Sequence, residues 1–123
     1  EAIAVTGFTD GGATSGTKTL ALTIPAGARM IACLIHGITG FAGNTSAVIT
    51  VGDGTDVDRY NTGTPDVFTT AAAGVDMDVP SGTAFHAAAI QPVVTITTAT
   101  DFTNCKTNAA GVATLTFVYS RPV

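Results

Sequence analysis

A chain of 123 residues can build one hydrophobic core but not two. Charged residues make up only 11%, against roughly 25% in ordinary soluble domains, and Thr, Ser, Gly and Ala fill the deficit. The net charge of −4, with basic residues scattered at Lys18, Arg29, Arg59, Lys106 and Arg121, argues against a face that neutralises nucleic-acid phosphates.

No apolar run approaches the ~20 residues of a membrane-spanning helix, and no basic-plus-apolar leader opens the chain, so no membrane partner is expected. Opening on Glu1 is compatible with earlier removal of an initiator Met or a longer leader. A monomer usually keeps more surface charge for solubility. So sparse a supply implies that part of this surface is covered in an assembly.

In chain order, residues 1–8 read as a short first strand. The Gly-rich loop TDGGATSGT (9–17) follows and would free them as an N-terminal arm. Leu20, Leu22 and Ile24 alternate with Thr19, Ala21 and Thr23, which predicts a strand with one buried face, closed by Pro25-Ala26-Gly27. MIACLIHGI (30–38) is apolar on both faces, with Met30, Ala32 and Leu34 on one and Ile31, Cys33 and Ile35 on the other. Such a strand is central, or one of its faces meets another subunit. AVITV (47–51) is a further strand, whose end delivers an acidic turn.

DVFTT (66–70) and VDMDV (75–79) carry weaker strand signals. AFHAAAI (84–90), PVVTITTAT (92–100) and GVATLTFVYS (111–120) complete the set. Helical periodicity is missing throughout, and the alanine runs 71–73 and 87–89 are too short to sustain a helix. Seven to nine short strands parted by Gly, Pro, Asn and Asp turns predict an all-β fold, a single antiparallel, jelly-roll-like β-sandwich over 1–123. Its expected core holds Leu20, Leu22, Ile24, Leu34, Val48, Ile96, Leu115 and Phe117.

Several stretches invite a chemical reading. Asp53, Asp56 and Asp58 crowd the turn after 47–51, but Thr55, Val57 and Asp58 fall where an EF-hand loop needs two ligands and a glycine. Gly52, Gly54 and Asp56 match a β-roll calcium repeat once, and that repeat works only in tandem. A polar turn is therefore expected, with no metal and no cofactor. Asp76 and Asp78 sit at strand spacing and read as a solvated edge that discourages sheet aggregation. Paired carboxylates of a glycosidase would need a cleft lined by stacking aromatics, and the chain has no Trp and two Tyr.

His36 and His86 lie among apolar residues and read as packed, hydrogen-bonded histidines. Cys33 and Cys105 form no Cys-x-x-Cys pattern; buried thiols and a disulfide both remain open. Asn44-Thr45-Ser46 is a formal glycosylation sequon. Nucleophile elbows, His-Glu-x-x-His and phosphate-binding glycine loops do not occur, so the chain is not expected to be an enzyme.

The stretch LTIPAGARMIACLIHGITGFAGNTSAVITVGDGTDVDRY (22–60) resembles small virion proteins of tailed bacteriophages. The shared elements are a strand ending Ile24-Pro25-Ala26-Gly27, an apolar strand, the turn Thr39-Gly40-Phe41, and a strand running into Gly52-Asp53-Gly54-Thr55-Asp56. GVATLTFVYSRP (111–122) is similar to the closing strand of such domains. The resemblance implies a head decoration (cement) protein, commonly a homotrimer seated on the major capsid protein. It also implies a virion location on the capsid surface, after assembly in the host cytoplasm, with no catalytic residues. The alternatives are a tail-fibre or receptor-binding head, which should expose aromatics or a polar groove, and a carbohydrate-binding module, which needs planar aromatic platforms.

Overall fold

The computed structural model describes residues 1–71, 74–80 and 85–121. Among the described residues eight strands, one α-helix and a single 3-10 turn follow in order: β1 (Ala2–Ala4), the 3-10 turn (Val5–Gly7), β2 (Thr9–Asp10), β3 (Ser15–Thr19), β4 (Arg29–Thr39), β5 (Ala47–Gly52), β6 (Val75–Asp76), β7 (Val93–Thr98), α1 (Phe102–Asn108) and β8 (Val112–Ser120). They form two four-stranded antiparallel sheets, ordered β1-β8-β4-β6 and β2-β3-β7-β5. The fold is an all-β sandwich. From β3 onward each successive strand lies in the opposite sheet, so the connections cross the ends of the sandwich.

Leu20, Ile24, Ile96 and Leu115 are fully buried, as the alternation predicts, while Leu22 and Phe117 pack half-buried against the core. Two core assignments are corrected. The β4–β8 register shifts between Met30 and Ala32, and this bulge reverses the faces of β4 as far as His36, after which a second shift brings Ile38 inward. Met30, Cys33 and Ile35 therefore point inward, leaving Leu34 half-buried on the outer face. In β5 the buried residues are Ala47, Ile49 and Val51, so Val48 lies on the opposite face, bridged to Asp66.

Residues 1–8 are not a free arm. Ala2–Ala4 pair with Thr114–Val112, and the Glu1 ammonium donates to the Leu115 carbonyl at 2.6 Å. Ile3, Val5 and Phe8 are core residues. The stretch 9–17 is a β2–β3 hairpin rather than a loose loop, tightened by Gly11 N–H to Ser15 O at 3.0 Å. Gly16 is required there, because a Cβ would sit 2.1 Å from the Phe102 ring.

Segment 20–24, expected as a strand, keeps only the Ile24–Ile90 bridge. Its Leu20 N–H reaches Pro92 O, but Pro92 has no N–H to return, and the Ala21 and Leu22 amides turn to the Glu1 carboxylate. Residues 66–70 and the described part of 84–90 likewise contribute only bridges, at Asp66, Phe85 and Ile90. Ala84 and the run members Ala72 and Ala73 lie outside the described residues.

The α1 helix went unread because it is only seven residues long. Asp101 caps it, accepting from Thr103 N–H at 2.9 Å, and Ala109 ends it in the left-handed region at φ 60°. Its two apolar residues, Phe102 and Cys105, are buried one turn apart. Phe102 meets Phe8 at 6.0 Å between ring centroids, and Phe8 meets Phe41 edge-on at 6.3 Å.

Truncating Leu115 to Ala should cost roughly 2–5 kcal/mol in urea unfolding, and Leu34→Ala clearly less. Equal losses would contradict the facing that the bulge imposes. Removing residues 1–8 should abolish cooperative unfolding, since it takes three core side chains and a strand. A truncated chain that melts like the full one would show β1 to be dispensable.

Candidate functional site

The acidic turn is built from the end of β5. A Cβ on Gly52 would fall 1.9 Å from Asp56 O, so only glycine allows the chain to double back so tightly, and Gly54 follows at φ 88°. Asp53 Oδ1 accepts the amides of Thr55 at 2.9 Å and Asp56 at 2.8 Å, and its Oδ2 meets Arg59 Nη1 at 3.0 Å. Burial works against ionisation, but those amides and the guanidinium outweigh it and hold the Asp53 carboxyl below the usual carboxylate range. Asp56 Oδ1 accepts from Asp58 N–H at 3.4 Å, and Asp58 itself is exposed. The Asp53 and Asp56 carboxylates serve local backbone. Among the described residues no group of three or more His, Cys, Asp or Glu is placed to hold a metal ion.

Arg59 carries the turn to a second segment, donating from Nη2 to Phe85 O at 2.9 Å. Beneath this latch lie Tyr60 and His86, both buried, with ring centroids 5.3 Å apart. Tyr60 Oη and His86 Nδ1 are 3.5 Å apart, and His86 Nε2 is buried with no hydrogen-bond partner among the described residues. Burial, reinforced by the Arg59 charge against the weaker pull of Asp53, lowers the His86 pKa below its ordinary value. Burial likewise pushes the Tyr60 phenol well above its usual range. The cluster is a structural clasp. Sequence reading weighed His86 alone and missed Arg59 and Tyr60, which follow directly on the acidic turn but show their partner only in three dimensions.

The other candidates are dispersed. His36 is half-buried on the outer face of its sheet, its Nε2 3.3 Å from Thr116 Oγ1. Cys33 and Cys105 are both buried and free, one in β4 and the other in α1. Burial, with Asp76 nearby, pushes the Cys33 thiol up to about 12, and burial raises Cys105 as well. Cys33 Sγ lies 3.8 Å from Met77 Sδ.

Asp76 and Asp78 are not a strand pair, which corrects the expectation from their spacing. The strand ends at Asp76, whose Oδ1 accepts the Asp78 amide at 2.9 Å while Asp78 takes φ 53°. Asn44 of the sequon is committed within the chain: its Nδ2 donates to Asp101 O at 2.9 Å and its Oδ1 accepts from Thr100 and Asp101.

Compared with known family models, curated proteins and solved structures, the chain matches none.

Because the folded His86 pKa lies below the ordinary 6.5, the unfolded chain binds a proton that the native state refuses. Stability is then complete above about pH 6.5 and declines as pH falls below it. Urea midpoints between pH 7.5 and 5 should show that slope, and His86→Gln should flatten it; an unchanged slope would place the titrating group elsewhere. The depressed Asp53 pKa acts separately, at pH values below the carboxylate range. Chelator should leave the melting temperature unchanged, since both Asp53 oxygens are already engaged. A calcium-reversible drop would restore the cation reading.

Proposed function

We propose that this chain is a structural virion protein that decorates and stabilises a bacteriophage capsid, binding the major capsid protein as a homotrimer at the capsid surface. The observation that carries this reading is the outer face of the β1-β8-β4-β6 sheet. Ile31, extruded by the bulge, is 62% exposed, and Val118, paired with Ala32 beside it, is 42% exposed. Phe85, bridged to Arg29 at the same end of β4, is 59% exposed. Half-buried Leu34 extends the strip, and Asp76 bounds it on β6.

An apolar strip on a chain this poor in charge suits a surface that is covered in use. The resemblance of 22–60 and 111–122 to small phage virion proteins points the same way, on independent grounds. A decoration protein needs a sturdy, inert body, and the sandwich supplies one without converging catalytic groups among the described residues. If the partner surface exists only on the expanded shell, binding stabilises that state by mass action. Symmetric copies then multiply weak contacts through avidity.

The test is co-sedimentation with expanded phage shells. The wild type should pellet with the shells. Ile31→Asp combined with Val118→Asp should remain in the supernatant with a near-unchanged melting temperature, since both positions are exposed. A wild-type chain that stayed monomeric and bound no shell would remove the reading. A double variant that still pelleted would move the docking surface elsewhere.

A further inference from the structure

Residues 85–90 lie against the start of β4, bridged to Arg29 at Phe85 and to Ile24 at Ile90. Ile24 and Ile90 exchange paired backbone bonds at 2.8 and 2.9 Å. Beyond that bridge, Gly27 N–H donates to His86 O at 2.7 Å and His86 N–H to Ala28 O at 2.9 Å. Side chains hold the segment at a single point. From Phe85 to Ala89 only His86 is buried, at 3% exposure, while Phe85 and the three alanines are exposed. A titratable ring thus fills the place of an apolar plug.

The surroundings suit the neutral ring. A neutral imidazole offers one donor and one acceptor, whereas the imidazolium has two N–H groups and needs two acceptors. Tyr60 Oη, 3.5 Å from Nδ1, supplies one, and among the described residues Nε2 has none. The charges that reach the ring are Arg59 and Asp53. Arg59 is a cation, and the Asp53 oxygens are spent on Arg59 and on the Thr55 and Asp56 amides. Cys33 and Asp56 stand near Tyr60, Arg29 lies at the Phe85 bridge, and the Phe117 ring on Tyr60 brings no charge. Burying a charge that lacks acceptors costs more than the net worth of two backbone bonds.

We infer that residues 85–89 form an acid-operated strap. Protonation of His86 drives its ring into water, and the strap swings off Gly27 and Ala28 about the Ile24–Ile90 bridge, with both sheets still folded. The strap is closed above about pH 6.5 and opens as pH falls below it. The opened strap takes up the same proton as the unfolded chain, so acid favours local opening before global unfolding. Phe85, 59% exposed, moves with the strap, so the apolar strip beside Ile31 is complete only while His86 is neutral. The device is internal to this chain and holds whatever partner meets that strip.

Amide hydrogen exchange of the wild-type protein tests it, read as protection factors to remove the intrinsic pH dependence of exchange. Between pH 7.5 and 5, protection at the Gly27 and His86 amides should fall at least about tenfold. The Ile96 amide, in the middle of β7, should keep its protection. The His86 ring resonances should titrate with the same midpoint as the loss. His36→Gln, on the outer sheet face, should leave the response intact, and His86→Gln should remove it. If His86→Gln does not fold, the wild-type midpoints decide alone. Four results would overturn the inference: protection kept at pH 5, loss only in step with Ile96, a midpoint different from that of the His86 ring, or an unchanged response in folded His86→Gln.

Discussion

The antiparallel pairing of β4 with β8 is the constraint on which the other features depend. These are the two longest strands, and they run together from Arg29–Ser120 to Thr39–Val112. Each carries a short strand on its free side, β6 on β4 and β1 on β8. A two- or three-residue strand has almost no stability of its own. Both are therefore held by the central pair and by the side chains they place beneath it. The bulge at Ile31 adds one residue to β4 and thereby decides which of its apolar residues reach the core. One local irregularity thus sets both the packing inside and the apolar strip outside.

Alternation made the architecture legible. Val93–Thr98 and Val112–Ser120 form strands much as their period-two patterns require, and the number of strands agrees with the turn spacing. The errors share a physical cause: local patterns say nothing of where backbone hydrogen bonds go. Leu20, Leu22 and Ile24 alternate like a strand, yet their neighbours include a proline carbonyl and a carboxylate, and no ladder forms. Met30–Ile38 is apolar at nearly every position, so its facing was undetermined until the bulge fixed it. The Gly-rich 9–17 stretch reads as flexible because a glycine demanded by close packing looks like one demanded by a loop. Gly16 is of the first kind, set by a ring 86 residues away in the chain.

The acidic turn shows the same limit from the chemical side. Its sequence departs from a calcium loop by position, with Thr55, Val57 and Asp58 where ligands and a glycine are needed. What remained hidden was its tie to a distant segment through Arg59, and the buried Tyr60–His86 pair below it. Burying a histidine with one nitrogen lacking a partner among the described residues is costly. Here the cost is accepted at the point where the turn, the Phe85 segment and the start of β4 come together. Aromatic packing on Tyr60, and of Tyr60 on Phe117, supplies the compensating contact.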